Sequence, residues 1–193
     1  MRVVVVNHLT LDGVMQAPGH AEEDRRGDFD HGGWATDGAD DPKVAAAFGE
    51  RLGTPGGALL MGHRSYDGML GGWNERGGPF KDALNAATKY VVSRSPDTHL
   101  EWPNSTLLSG DVIAAVGELR EREGGNLAIM GSGELVRSLL PHGLVDELLL
   151  VIHPLILGDG LRLFEDGEGS VPLRLKSCDA VDGGAIIAAY EQG

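Results

Sequence analysis

Short apolar runs recur along the chain, and each of them stops at a glycine or a polar residue. The first run, Arg2–Val6, is rich in β-branched residues and starts almost at the first residue, which predicts a central strand. Runs without polar alternation are typical of strands that are covered on both faces of a parallel sheet. The later runs of this kind are Ala58–Met61, Tyr90–Val92, Leu107–Leu108, Leu127–Met130 and Leu148–Ile152.

Helical periodicity separates several of these runs. After Gly131–Gly133, apolar residues recur at the spacing of one helical face until Pro141–Gly143, where proline and glycine end the helix. The same spacing follows Pro42, which suits a first helical turn, and Asp111, which suits an N-cap. Strands that alternate with helices predict an α/β fold with three layers, α/β/α, around a mainly parallel sheet.

The end of the chain and one long polar segment complete the pattern. Val171–Lys176 and Ala185–Tyr190 flank the turn residues Asp182–Gly184 and predict an antiparallel C-terminal hairpin. Pro18–Asp41 is acidic and rich in glycine, which predicts either a loop over the site or a surface excursion. Trp34 in this loop either closes on a flat ring or only holds the loop in place.

Composition and charge narrow the class of protein. The chain has 193 residues, 41% of them hydrophobic, which suits one domain, residues 1–193, with a substantial core. Its net charge of −13 argues against general affinity for nucleic acid or anionic membranes. No apolar run approaches the ~18–20 residues of a membrane span. The single cysteine, Cys178, fits a reducing cytoplasm and is expected as a small core residue on a late strand.

No metal site is expected from the sequence. His20-Ala21-Glu22 formally matches the H-x-E pattern of zinc deaminases. That site also needs cysteine ligands from a P-C-x-x-C pattern, and a chain with one cysteine cannot supply them.

The glycine turn Gly131-Ser132-Gly133 is the first candidate site, because it lies between a predicted strand and a predicted helix. Open α/β sheets bind ligands at the carboxyl ends of their strands. Small residues there let backbone N–H groups approach an anion beside the positive end of a helix dipole. Ser132 either caps the helix or contacts a phosphate. The spacing alone leaves a phosphate site and a plain tight turn both open.

A longer stretch is more specific. Gly143–Leu148, His153-Pro154, Leu157–Gly160 and Leu163-Phe164 together resemble the reductase domain of bacterial riboflavin biosynthesis, in the dihydrofolate reductase-like family. The resemblance covers nearly the whole chain. It implies a mainly parallel sheet with antiparallel C-terminal strands, NADPH bound at the carboxyl ends of the strands, and a homodimer formed through the late strands.

The resemblance also implies roles for individual residues. Thr10–Gly13 matches a segment that lines the pocket where nicotinamide and substrate meet. Asp12 then orients the carboxamide or the substrate, or holds a proton-relay water, unless Asp12-Gly13 is simply a turn. The turns after Ala58–Met61 and after Tyr90–Val92 match two turns that hold the cofactor in the resembled family. Each contains an arginine, whose planar guanidinium suits a 2′-phosphate. The cofactor candidates are Gly62, His63, Arg64, Ser65, Ser93, Arg94, Gly131, Ser132, Gly133 and Glu134, and the substrate candidates are Asn7, Leu11, Trp34 and Tyr66.

One departure from the resembled domain bears on the substrate. Riboflavin-pathway reductases carry an acid just before the glycine turn, where this chain has Met130, whose thioether cannot accept hydrogen bonds as a carboxylate does. We therefore expect an NADPH-dependent reductase that transfers hydride to a C=N or C=O group of a pterin- or pyrimidine-like heterocycle. The proton donor is open among Asp12, His153 and water, and His153 either acts in catalysis or only packs. The alternative is a nucleotide-, flavin- or pterin-binding protein without turnover.

Overall fold

A single mixed sheet organises the computed structural model, which describes residues 1–36, 41–167 and 169–192. Within these ranges the sheet has eight strands in the order β4-β3-β2-β5-β1-β6-β8-β7. Strands β1 to β6 run parallel, and β8 and β7 complete the sheet in antiparallel pairing. The strands are β1 (Arg2–Thr10), β2 (Ala58–Gly62), β3 (Thr88–Val92), β4 (Ser105–Leu108), β5 (Asn126–Met130), β6 (Glu147–His153), β7 (Leu173–Ala180) and β8 (Ile186–Gln192).

Helices connect the parallel strands and cover the sheet. Side chains fix two of the helix starts, because Asp41 accepts a hydrogen bond from the N–H of Lys43 and Asp111 accepts one from the N–H of Ala114. Short 3-10 turns lie at Arg26–Asp28 and Leu140–His142. The helices are α1 (Pro42–Leu52), α2 (His63–Arg76), α3 (Pro79–Ala86), α4 (Val112–Arg120) and α5 (Gly133–Leu139).

Strand β1 is central, as predicted. It pairs with β5 on one side and β6 on the other. Val3 and Val5 belong to the core under α4 and α5, whereas Val4 and Val6 belong to the core under α1. Burial on both faces explains why this run is apolar without alternation. Since β1 to β6 run in one direction, their carboxyl ends share one edge of the sheet, which we call the carboxyl edge.

The predicted fold class is confirmed, and so is the C-terminal hairpin. The prediction for Cys178 is wrong, because the thiol lies exposed on β7. Every residue of β7 is exposed, as expected for the outermost strand of the sheet. Residues 37–40 of the predicted loop lie outside the described residues. None of the described helices is both long and apolar enough to cross a membrane.

A buried lysine ends helix α3. Lys89 is 0% exposed, and its ammonium donates to the carbonyl oxygens of Leu84, Asn85 and Ala87 at 2.6, 3.3 and 2.7 Å. The last carbonyls of a helix have no partner within the helix, so a cation there satisfies them. Burial lowers the pKa of Lys89, and the three carbonyl partners offset that desolvation cost.

We expect Lys89→Met to lower the free energy of unfolding by about 2 kcal/mol, because it leaves buried carbonyls without a donor while keeping the side-chain length. Urea unfolding followed by circular dichroism measures the change. Lys81→Met, on the outer surface of α3, is the matched control and should change stability by less than about 0.5 kcal/mol. Equal stability of the wild type and Lys89→Met would contradict the capping role.

Candidate functional site

Two turns at the carboxyl edge are joined by a pair of hydrogen bonds. The N–H of Gly62 donates to Ser132 Oγ at 3.0 Å, and the N–H of Ser132 donates to Ser65 Oγ at 3.0 Å. Strands β2 and β5 are neighbours, so these bonds hold the turn after β2 directly against the turn after β5. The two turns were predicted separately as cofactor-binding, and the structure brings them into contact.

Strand β3 adds a third turn at the same place. Gly62 pairs with Val92, so Ser93 and Arg94 follow β3 level with the turn after β2. Arg94, 89% exposed, forms an ion pair with Glu134 in the first turn of α5. Ser93 Oγ bonds Thr98 Oγ1 at 2.6 Å within its own turn. We call residues 62–65, 93–94 and 131–134 the loop cluster.

Asn7 holds the loop cluster to the central strand. Its side-chain Oδ1 accepts from the N–H of Gly131 at 2.7 Å, and its Nδ2 donates to the carbonyl of Gly131 at 3.2 Å. Both polar ends of this buried amide are therefore used within the protein. These hydrogen bonds show that Asn7 positions the turn, and the prediction that it also contacts substrate stays a prediction.

The backbone N–H groups of the glycine turn are not open to an anion in the way that the sequence predicts. The N–H groups of Gly131 and Ser132 already have protein acceptors, so they are not available to a phosphate. Ser132 does not cap α5, and its hydroxyl instead accepts from Gly62 and donates to the carbonyl of Met130 at 3.3 Å. Gly133 lies close to Met15, because a Cβ there would be 2.6 Å from Met15 Sδ and would require that side chain to move.

The start of helix α2 offers open donors instead. The helix has 14 residues, and no side chain caps its first N–H groups. Arg64 is exposed and forms no hydrogen bond or ion pair with any described residue. His63 Nε2 lies 3.2 Å from the carboxylate of Asp67 one turn later. Uncapped N–H groups beside an unpaired guanidinium favour an anion at this helix start.

Tyr66 does not face the loop cluster. Its side chain is 0% exposed in the core between α2 and the sheet. Its hydroxyl accepts from the N–H of Trp102 at 2.8 Å. The prediction that Tyr66 contacts substrate is wrong, because this side chain is enclosed in the core, whereas Arg64 is exposed and Ser65 is half-buried.

Asp12 joins two loops at the carboxyl edge. Its carboxylate accepts from Thr10 Oγ1 at 2.6 Å and from the N–H groups of Leu157 and Gly158 at 3.3 and 2.9 Å. These hydrogen bonds, the one from Thr10 first, lower the pKa of Asp12 to about 2. A carboxyl group with this pKa is charged near neutrality, which argues against Asp12 as the proton donor. Asp12-Gly13 lies in a turn, since the N–H of Gly13 donates to the carbonyl of Thr10 at 2.9 Å. A role of Asp12 beside nicotinamide or substrate stays a prediction.

Two histidines meet across strands β1 and β6. His8 Nδ1 lies 2.9 Å from His153 Nε2, and His153 is only 7% exposed. Phe48 of α1 packs on the His8 ring, and Trp34 packs edge-on against His153, with ring centroids 5.1 and 5.4 Å apart. Of these four rings, the sequence interpretation named only those of Trp34 and His153. The remaining substrate candidate, Leu11, lies 65% exposed in the neighbouring loop.

Burial favours the neutral form of both imidazoles. Burial, followed by repulsion from His153, lowers the pKa of His8 to about 4. Burial also lowers the pKa of His153. No group of three or more His, Cys, Asp or Glu side chains in the described ranges could hold a metal ion. The pair is therefore a set of one hydrogen-bond donor and one acceptor for which burial favours the uncharged form.

His8 was missed because the predicted first strand ended at Val6. The strand in fact continues to Thr10, which places His8 on the same face as Val4 and Val6. The sequence does contain this pattern, because His8 continues the alternation of Val4 and Val6 and is a polar residue on an otherwise apolar strand face. Its partner on β6 depends on the register of β1 and β6, which one sequence does not reveal.

Comparison with known proteins agrees with this architecture. The family model described as RibD C-terminal domain matches residues 2–187. YyaP of Bacillus subtilis (strain 168), an uncharacterised protein, is 29% identical over 138 residues, covering 68% of this chain and 72% of YyaP. A candidate riboflavin biosynthesis protein from Shewanella sp. PV-4 has a TM-score of 0.75 at 23% identity, covering 100% and 99% of the two chains. Dihydrofolate reductase from Enterococcus faecalis, complexed with NADP(H) and RAB-propyl, has a TM-score of 0.62 at 16% identity, covering 100% and 96%.

We expect Asp12→Asn to lower the free energy of unfolding at pH 7 by about 1 kcal/mol, because the amide accepts the two backbone hydrogen bonds less strongly. The folded-state pKa, about 2, lies below the ordinary 3.8. The stabilisation by Asp12 is therefore complete above pH 3.8 and is lost as the pH falls through 2. Urea unfolding at several pH values should show the wild type and the variant converging in acid.

Asp97→Asn is the matched control for this measurement. Asp97 is exposed, and its carboxylate bonds no described residue. Its replacement should leave stability unchanged within about 0.5 kcal/mol at every pH. A constant difference between the wild type and Asp12→Asn from pH 7 to pH 2 would refute the lowered pKa.

Proposed function

Because the chain belongs to the RibD C-terminal domain family, we propose that it is an NADPH-dependent reductase of a small heterocycle. The predicted resemblance to the dihydrofolate reductase-like family is confirmed, and a reductase-like fold follows from it. The observation that carries the finer proposal is the pair of hydrogen bonds between Gly62, Ser65 and Ser132. It assembles turns from adjacent parallel strands at the edge where open α/β sheets bind nucleotides.

The described residues fit a phosphorylated dinucleotide, although the open N–H donors lie at the start of α2 and not in the glycine turn Gly131–Gly133. The open N–H groups at the start of α2 and the unpaired guanidinium of Arg64 suit a phosphate. Arg94 is a second cation within the loop cluster, but its pairing with Glu134 must be broken before it binds an anion. Similarity to a dihydrofolate reductase in complex with NADP(H) also supports NADPH as the cofactor.

The cofactor, when bound, supplies the hydride, and the protein supplies position and surroundings. Asn7 and Ser132 hold the glycine turn in one conformation, so the protein does not reorganise this turn at the moment of reaction. Next to that turn, Met130, Phe48 and His8 present an apolar and uncharged surface. An uncharged heterocycle with a C=N or C=O group, of the pterin or pyrimidine kind, suits this surface better than an anionic substrate.

We extend the proposal to a cytoplasmic homodimer. Strand β7 exposes Leu173 and Leu175 at the edge of the sheet, and exposed apolar side chains on an edge strand offer a surface for pairing. The exposed thiol of Cys178 suits a reducing compartment. Sedimentation velocity tests the dimer, and a monomer at every concentration would contradict it. That residues 1–193 form one domain stays a prediction.

Titration with NADPH tests the central proposal. We expect saturable quenching of tryptophan fluorescence by NADPH, since Trp34 lies beside the histidine pair at the carboxyl edge. Turnover is then measured as NADPH oxidation at 340 nm against a panel of pterins, flavins, pyrimidines and small carbonyl compounds. No saturable binding would refute the reductase. Binding without oxidation of any panel member would favour the alternative, a nucleotide- or pterin-binding protein.

Replacement of the arginines tests where the 2′-phosphate binds. We expect Arg64→Ala to weaken NADPH binding by about 2–3 kcal/mol, because a charged hydrogen-bond donor is lost, while NADH binding stays nearly unchanged. Arg94→Ala should have a smaller effect, since Glu134 competes for that guanidinium. Glu134→Gln should therefore strengthen NADPH binding. Isothermal titration calorimetry measures all three variants.

Arg25→Ala is the control for the loss of one positive charge from this acidic protein. Arg25 is exposed and pairs with Glu22, in the loop before α1. It should change NADPH affinity by less than about 0.5 kcal/mol, since exposed charges beyond a Debye length are screened. Equal losses of NADPH and NADH affinity in Arg64→Ala would disprove the placement of the 2′-phosphate.

A further inference from the structure

His8 and His153 form a pair whose outer ring nitrogens remain open. The inner nitrogens, His8 Nδ1 and His153 Nε2, are 2.9 Å apart. Neither outer nitrogen, His8 Nε2 or His153 Nδ1, has a hydrogen-bond partner among the described residues. Neither is fully enclosed, because the only enclosed and unpartnered side-chain polar atom in the described ranges is Gln192 Oε1. The pair is therefore a short chain of hydrogen-bonding atoms whose two outer nitrogens are unpartnered among the described residues and not fully enclosed.

The chemistry of neutral imidazole determines what the two ends carry. Each neutral ring has one N–H and one bare nitrogen. If His153 Nε2–H donates to His8 Nδ1, then His8 Nε2 carries a proton outside and His153 Nδ1 is bare. If His8 Nδ1–H donates to His153 Nε2 instead, then His8 Nε2 is bare and His153 Nδ1 carries the outer proton. One end of the pair is always a proton donor and the other is always an acceptor.

We propose that the His8–His153 pair is a proton relay that delivers the proton needed after hydride transfer. This inference rests on the proposed reductase function and names the proton route that the function leaves open. Hydride adds to the carbon of the C=N or C=O group, and its electron pair forms the new C–H bond. The heteroatom takes a proton from His8 Nε2. His8 Nδ1 takes one from His153 Nε2, and His153 Nδ1 takes one from solvent.

Both rings are neutral before and after this step, and only their tautomers change. The inner hydrogen bond is reversed at the end of the step, so the relay must be reset before the next turnover. After product leaves, solvent returns a proton to His8 Nε2 and accepts one from His153 Nδ1. The inner proton then moves back from His8 to His153.

The position of the strands gives the relay its direction. Strand β1 lies between β5 and β6, so His8 is nearer than His153 to the glycine turn that follows β5. Val6 pairs with Met130, which places His8, two residues later, level with the turn itself. His153 lies on β6, one strand further away. The His8 end therefore faces the substrate side, and the His153 end takes up protons from solvent.

The surroundings keep the relay uncharged. Helix α1 contributes Phe48 to the His8 ring, and the loop before α1 contributes Trp34 to the His153 ring. Among the described residues, no carboxylate or cation bonds either imidazole. Apart from burial, the interaction that shifts the pKa of His8 is with His153 itself. A neutral pair passes a proton without holding it, which matches the proposed role.

Nuclear magnetic resonance of ¹⁵N-labelled histidine tests the relay without cofactor or substrate. At pH 7 we expect both rings neutral, and we expect His153→Gln to change the tautomer populations of His8, because Gln keeps a hydrogen-bonding group near the Nε2 position but cannot swap tautomers. His142→Gln, an exposed histidine on the 3-10 turn before β6, is the control and should leave His8 unchanged. A cationic ring at pH 7, or a His8 tautomer that does not respond to His153→Gln, would overturn the relay.

Turnover gives the second readout. His8→Asn and His153→Gln each keep a hydrogen-bonding group near the inner position and should lower kcat at least about 100-fold, as expected when a proton-transfer group is lost. The dissociation constant for NADPH should change less than about 2-fold. Absence of NADPH binding or of turnover in the wild type removes the reductase proposal. An active wild type whose His8→Asn variant keeps its full kcat removes the relay alone.

Discussion

The arrangement of the carboxyl edge depends on one residue, Ser132, and on the hydrogen bonds that hold it. Its φ of +53° is in the left-handed region, which costs a residue with a side chain about 1–2 kcal/mol. Three hydrogen bonds surround it, to Ser65 Oγ, from Gly62 and to the carbonyl of Met130. Together they offset that cost and fix the turn after β5 against the turn after β2. A serine that would be expected to cap a helix or contact a ligand instead connects two parts of the protein.

The layers of the fold could be predicted from sequence, because each depends on local periodicity and on the burial of whole apolar runs. Strand β1 shows this, since Val3–Val6 are buried on both faces. The site could be predicted only to the level of turns. Whether Asn7 or Tyr66 faces solvent depends on partners far away in the sequence, Gly131 and Trp102, which local patterns do not reveal.

Which charged side chains are free to bind a ligand is likewise not evident from the sequence. The net charge of −13 means that the protein as a whole repels a polyanionic cofactor, so binding must depend on a few local cations. The sequence indicates two arginines at two strand ends but not that Glu134 already pairs with one of them. The exposed Cys178 is a related case, because small apolar residues are usually buried, yet an outer strand leaves them exposed.

Asp12 and the His8–His153 pair are ionisable groups of two kinds near the carboxyl edge, and the difference between them bears on the chemistry. Asp12 is held charged by donors from two loops, with a pKa of about 2, and its charge keeps those loops together. His8 and His153 are held neutral by burial. Neither kind changes its charge near neutral pH, so neither stores a proton there. The proton route that we propose for this edge fits this difference, because a neutral imidazole pair can take up one proton as it gives up another.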